Sequence, residues 1–148
     1  MWEALVRFQR TSVGLDVHAR SVVGCGLDRG TGEVSQRRLT PSREEVGDWI
    51  RSLPAPAVVV YEAGPTGFGL ARYLIDAGIE CVEAAPSKLQ RPSGDRVKTD
   101  ARDARHLARL LHLGEIVAVA IPSIEQEAAR DLVPCGHQVT AAILTRTR

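Results

Sequence analysis

The chain has 148 residues, a formal net charge of +1, 44% hydrophobic residues and 25% charged residues, which is the length and balance of one globular domain. No apolar stretch approaches the roughly 20 residues that a membrane helix needs, and the three cysteines, Cys25, Cys81 and Cys135, form no Cys-x-x-Cys pair. We therefore expect a cytoplasmic chain with buried thiols, and neither a disulfide framework nor a zinc site.

The N-terminal part of the chain predicts an antiparallel meander. Residues 11–17 alternate apolar and polar side chains, and residues 21–27 are a second run rich in β-branched side chains. A turn cluster at residues 28–32 leads to a third strand near residues 33–39.

The middle of the chain predicts one helix followed by a parallel crossover. Ser42 and Glu45 form the sequence signature of a capping box at a helix start. Residues 57–61 are a continuous apolar run, which is typical of a strand buried on both faces. A helix over residues 68–76 and a short strand over 79–83 complete the crossover.

The last third of the chain predicts a loop and two helices. Residues 86–99 hold Pro, Ser, Gly and basic side chains and favour a loop, whereas residues 100–113 have helical spacing and end at Gly114. A short segment at 116–120 and a helix over 123–133 follow. The whole element order predicts an α/β, ribonuclease-H-like fold, a mixed sheet flanked by helices whose first and fourth strands are neighbours.

Four carboxylates occupy positions that an ordinary core does not favour. Asp16 interrupts an apolar strand, Glu62 follows a buried one, and Asp100 and Asp103 lie three apart at a helix start. Convergence at one sheet edge would make an oxygen-only site for Mg²⁺ or Mn²⁺. Read singly, Asp100 and Asp103 also suit a helix N-terminus, and Glu62 suits an exposed strand end.

Basic residues are concentrated beside this predicted acidic site. Residues 86–112 carry a surplus of four positive charges, which favours contact with a polyanion such as DNA, although surface arginines are also common on solvated helices. His18 is two residues beyond Asp16. Its two candidate roles are contact with a substrate phosphate and ordinary packing beside a neighbouring strand, and we favour the second. The candidate nucleic-acid-binding residues are Lys88, Arg91, Arg96, Lys98, Arg102 and Arg105.

Three short motifs resemble a known family. Gly14-Leu-Asp-Val-His18, Tyr61-Glu-Ala-Gly64 and Lys98-Thr-Asp-Ala-Arg-Asp-Ala104 are similar to the N-terminal domain of the DEDD insertion-sequence transposases, the family founded on insertion sequence one-ten. The pilin-gene inversion recombinases belong to the same group. The resemblance runs from about residue 11 to residue 133, and its Lys-Thr-Asp-x-x-Asp-Ala block is the most specific part.

The resemblance implies a RuvC-like fold in which Asp16, Glu62, Asp100 and Asp103 bind divalent metal and act in DNA strand exchange. It also implies a homo-oligomer, a structured guide RNA, and a C-terminal domain with a nucleophilic serine. The domain prediction is a leader over 1–10, the RuvC-like domain over 11–122, the start of a helical connector over 123–133 and an atypical tail over 134–148. In the family a long coiled coil would follow the connector, so we expect a truncated or frameshifted copy that does not complete transposition alone.

Two other functions stay open on the residues themselves. One is a non-catalytic nucleic-acid-binding remnant, which the basic segment favours. The other is a free-standing ribonuclease-H-like nuclease or junction resolvase that uses the same carboxylates. An actin-like phosphotransferase is disfavoured, because no second glycine-rich phosphate loop is present.

Overall fold

A six-stranded mixed sheet forms the centre of the described part of the protein. The computed structural model describes residues 9–64, 66–85 and 100–132, and the strands lie in the order β3-β2-β1-β4-β5-β6. The strands are β1 (Thr11–Val17), β2 (Val22–Asp28), β3 (Val34–Leu39), β4 (Ala57–Glu62), β5 (Glu80–Ala84) and β6 (Ala118–Val119).

The strand pairing confirms the predicted fold class. The first three strands form an antiparallel meander, β4 lies parallel to β1, and β5 lies parallel to β4. The short β6 returns antiparallel to β5. This combination of an antiparallel meander with parallel strands beside β1 is a ribonuclease-H-like arrangement, and the first and fourth strands are neighbours as expected.

In the described part of the chain, four helices flank the sheet: α1 (Arg43–Arg51), α2 (Gly69–Asp76), α3 (Asp100–Leu113) and α4 (Ile124–Asp131). The Ser42 half of the predicted capping box is confirmed, because the Ser42 side chain accepts a hydrogen bond from the Glu45 amide. The Glu45 carboxylate accepts a hydrogen bond from the Thr40 hydroxyl. Ser123 caps α4 as Ser42 caps α1 and forms a reciprocal capping box with Gln126. Each cap satisfies amide groups that the first turn of a helix leaves without a partner.

The two faces of the sheet bury separate apolar clusters. On one face, side chains of β1 and β4 such as Leu15 and Tyr61 pack with α1 and α2. On the other face, β4 residues such as Val60 pack with Leu107 of α3, and β2 residues pack with Ala104. Because strand side chains alternate between faces, the residue after Leu15 and the residue after Tyr61 both face α3.

Helix α3 lies directly against the backbone of β1. A Cβ atom added at Gly14 would stand 2.1 Å from the Ala104 carbonyl oxygen and 2.6 Å from the Ala108 amide nitrogen. No side chain larger than hydrogen fits at this contact without a shift of the helix. Gly14 therefore sets the distance between β1 and α3.

Most boundaries agree with the sequence predictions to within one or two residues. The main difference for the site is Glu62, which is the last residue of β4 and does not follow the strand. Cys25 and Cys81 are buried free thiols, as expected. Within the described residues, no helix is long and apolar enough to span a membrane. The predicted loop at 86–99 and the tail at 134–148 lie outside the described residues.

Candidate metal centre

The first carboxylate of the site is near the end of β1. Asp16 is one residue beyond Leu15 and lies on the same face as Gly14, so its side chain is directed toward α3. The side chain is 17% exposed. A carboxylate is thus held in a mostly desolvated position at the carboxyl end of a central strand.

His18 lies beside Asp16 in the turn that joins β1 to β2. The backbone amide of His18 donates a hydrogen bond to the Ser21 carbonyl, which closes this turn. The imidazole Nε2 is 3.0 Å from Asp16 Oδ2. The side chain is 51% exposed, so solvent reaches one side of the ring.

The third member is Asp100, the first residue of α3. Its Oδ1 atom lies 3.3 Å from His18 Nε2, and its Oδ2 atom lies 3.8 Å from Arg38 Nη2 on the edge strand β3. Asp16, His18 and Asp100 each offer a donor atom, and these donor atoms all lie within 4.8 Å of one another. The group joins two carboxylates that are distant in sequence.

The two carboxylates of the site favour a positive charge between them. Burial raises the pKa of Asp16, and the nearby Asp100 carboxylate also raises it, whereas His18 lowers it. The Asp16 carboxylate raises the pKa of His18, and Asp100 adds to this effect. Carboxylates that repel each other at short range are stabilised by a shared cation.

Glu62 and Asp103 are outside this compact group but belong to the same region. Leu15 pairs with Tyr61 in the parallel register, so Asp16 and Glu62 occupy the next positions of two strands that are about 4.8 Å apart. Asp103 is three residues beyond Asp100, which is about one helical turn. The structure therefore brings Asp16 and Asp100 together, and the metal-binding assignments of all four carboxylates stay predictions.

The donor set fits a hard or borderline divalent cation. Carboxylate oxygens are the usual ligands of Mg²⁺ and Mn²⁺, and imidazole is a frequent transition-metal ligand. Neighbouring ligands of an octahedral ion with bonds of about 2.1 Å stand about 3 Å apart. The separations of 3.0 Å and 3.3 Å around His18 Nε2 are of this size.

Sequence reasoning placed His18 among the ordinary strand residues, and the structure places it in the group. The available signal was the Asp-x-His spacing, because residues two apart in a strand face the same side. No sequence signal pointed to Arg38. Of the predicted basic residues, Arg102 and Arg105 are exposed on α3. The other four, Lys88, Arg91, Arg96 and Lys98, lie outside the described residues.

Comparison with known proteins decides the family. Residues 13–147 match the IS110-type DEDD transposases, a family described as transposase. The chain belongs to this family. The family match confirms the resemblance drawn from the three motifs.

Two curated relatives of this chain are longer proteins. The chain is 34% identical over 128 residues to the transposase for insertion sequence element IS1533 of Leptospira borgpetersenii, which is 83% of this chain and 37% of that protein. It is 58% identical over 73 residues to y4qE of Sinorhizobium fredii, whose name assigns it as a transposase, over 49% of this chain and 19% of that protein. The chain thus spans well under half the length of both relatives.

Proposed function

We propose that this chain is the portion of an IS110-type transposase that binds divalent metal and DNA during strand exchange. Asp16, Glu62, Asp100 and Asp103 hold the ion. The observation that carries the proposal is the convergence of Asp16 and Asp100. Asp16 lies near the carboxyl end of β1, and Asp100 is the first residue of α3.

Each residue has a separate task in this proposal. Asp16 is held by its central strand and supplies a mostly buried oxygen donor, while Asp100 supplies a more exposed one. Arg38 orients the Asp100 carboxylate from the neighbouring edge strand. When bound, Mg²⁺ or Mn²⁺ would activate the attacking oxygen and neutralise charge on the phosphodiester.

Exposed arginines on α3 support the DNA-binding part of the proposal. Arg102, Arg105 and Arg109 recur at spacings of three and four, so they lie along one flank of the helix that begins with Asp100. Arginines positioned like this bind phosphate groups regardless of base sequence. DNA that contacts this flank would run beside the carboxylates.

The remaining properties of the family apply to the whole protein and are predictions for this chain. They are a guide RNA, a homo-oligomer and a serine from a further domain that completes the strand exchange. Because the chain spans 37% of the IS1533 protein, the properties proposed for the chain itself are metal binding and DNA binding.

The metal assignment is tested by calorimetric titration of Mn²⁺ into the wild-type chain and two variants. Asp16→Asn removes one charge from the site. We expect it to weaken Mn²⁺ binding by about tenfold or more, because losing even a residue that only supports a metal ligand lowers metal affinity about 10–100-fold. Asp48→Asn is the matched control, because Asp48 lies on α1 with a side chain that is 78% exposed. Its affinity should equal that of wild type.

Equal heats for wild type and Asp16→Asn would contradict the metal site. DNA binding that persists in Asp16→Asn without any metal would then favour the non-catalytic nucleic-acid-binding remnant. Asp100→Asn should weaken Mn²⁺ binding as Asp16→Asn does, since each carboxylate supplies a hard ligand.

A further inference from the structure

We propose that His18 is itself a ligand of the ion, which turns an all-oxygen site into a mixed oxygen and nitrogen site. The inference rests on the proposed metal-binding function and deepens it. It starts from one atom, His18 Nε2, which faces carboxylates from two different elements of the fold.

The backbone holds His18 at this place. Val17 pairs with Val22 at the end of the β1–β2 ladder, and the turn between them is closed by the bond from the His18 amide to Ser21. From this turn the imidazole reaches back to Asp16, with Nε2 3.0 Å from Asp16 Oδ2. The imidazole is therefore presented to the site by a short hairpin turn.

Two carboxylates from different elements approach the same imidazole nitrogen. Asp16 Oδ2 lies 3.0 Å from Nε2 and Asp100 Oδ1 lies 3.3 Å from it, an arrangement that fits either one proton shared by both carboxylates or one metal ion bound by all three groups. A divalent ion satisfies all three donors at once, and these donors lie within 4.8 Å of one another. The proton on Nε2 passes to solvent when the ion binds, since the ring is half exposed.

A nitrogen ligand changes which ion the site prefers. Mg²⁺ takes oxygen ligands almost entirely, whereas imidazole binds transition metals more readily. With His18 as a ligand the site favours Mn²⁺ over Mg²⁺. With carboxylates alone, this preference would be much smaller.

The direct test is pulsed electron paramagnetic resonance of Mn²⁺ bound to the full chain. Coordination by an imidazole gives a ¹⁴N modulation of the Mn²⁺ echo, which we expect in wild type and not in His18→Gln. His112→Gln is the control, because His112 is near the other end of α3, about 18 Å along the helix from Asp100. The control should keep the modulation.

The affinities give a second and independent readout. His18→Gln should weaken Mn²⁺ binding by about tenfold and Mg²⁺ binding by clearly less, so the ratio of the two dissociation constants changes. Mn²⁺ binding that depends on Asp16 but shows no ¹⁴N modulation would overturn the role of His18 and leave the proposed function standing. No Mn²⁺ binding to wild type would overturn both.

Discussion

Glu83 has an unusual environment for a carboxylate. It is 0% exposed, it lies next to Tyr61 in the β4–β5 register, and within the described residues neither of its carboxylate oxygens has a hydrogen-bond partner. Burial raises the pKa of Glu83 to about 7, and Glu127 also raises it, while Tyr61 and Arg72 lower it. A group of this kind is more stable in its neutral form.

This pKa makes the stability of the fold depend on pH. In the unfolded chain the pKa of Glu83 returns to about 4.5, so the unfolded state loses the proton first as pH rises. The contribution of Glu83 is fully present below pH 4.5 and is lost as pH rises to about 7. Above this range the charged form costs on the order of 3 kcal/mol.

Glu83→Gln should therefore be more stable than wild type at pH 8 and similar to wild type near pH 4.5. The amide keeps the shape of the side chain and has no charge to desolvate. Urea unfolding of both proteins at several pH values measures the difference, and Glu115→Gln, an exposed position, is the control. The same pH dependence in wild type and Glu83→Gln would show that the carboxylate is not the cause.

At the scale of elements, the contact between β1 and α3 controls the geometry of the site. Asp16 is on β1 and Asp100 begins α3, and Gly14 is where the two elements come closest. A displacement of α3 at Gly14 changes the distance between the two carboxylates. The stability of this packing and the affinity of the site are therefore linked.

Gly14→Ala should lower both quantities. The added methyl group would overlap the backbone of α3, and overpacking of this kind costs about 1–3 kcal/mol of unfolding free energy. Denaturant unfolding and Mn²⁺ titration measure the two effects. Gly47→Ala is the control, because the nearest atom to its added Cβ is Arg51 Nη1 at 3.4 Å. An unchanged Mn²⁺ affinity in a folded, destabilised Gly14→Ala protein would disprove the link.

The sequence predicted the elements well because their signals are local. The alternation of residues 11–17 and the Ser42 cap depend only on nearby residues, and both are found in the structure. The close contact at Gly14 could not be predicted, because its partners Ala104 and Ala108 lie about 90 residues away in sequence. A glycine in a strand indicates close packing but does not name the partner.

At the scale of the whole molecule, the arginines of α3 predict salt-dependent DNA binding. Each phosphate contact contributes about 0.9 to the slope of log K against log salt concentration. Replacing both Arg105 and Arg109 with Ala should weaken binding of a DNA duplex and reduce this slope by up to about 2. Fluorescence anisotropy over a salt series measures both changes.

Arg51→Ala is the matched control for this experiment. Arg51 is an exposed arginine at the end of α1, on the opposite face of the sheet from α3. Its loss removes one positive charge, as does each single α3 substitution, Arg105→Ala or Arg109→Ala, and should leave the slope unchanged. If Arg51→Ala lowered the DNA affinity and the salt slope as much as the α3 substitutions do, the DNA would not bind preferentially along the exposed arginines of α3.

The candidate site was predicted only in part, because its members come from three distant segments. The topology placed the end of β1 beside the end of β4, which explains why Asp16 and Glu62 could be predicted as neighbours. The meeting of Asp16 with Asp100 depends on how α3 crosses the sheet, and the role of His18 depends on a turn conformation. For Asp16 and Asp100 the sequence supplied only two acidic positions that could converge, and for His18 it supplied only the Asp-x-His spacing.

The register of β1 also determines where the chain tolerates changes in length. One residue inserted or deleted in β1 before Asp16 would exchange the two faces of the strand beyond that point. The Asp16 carboxylate would then face the apolar cluster that packs with α1 and α2. The β1–β2 turn has little freedom either, because it carries His18. The turn near residues 29–33 is at the other end of the meander. Natural length variation among relatives should therefore accumulate in that turn, on the side of the sheet away from the metal donors.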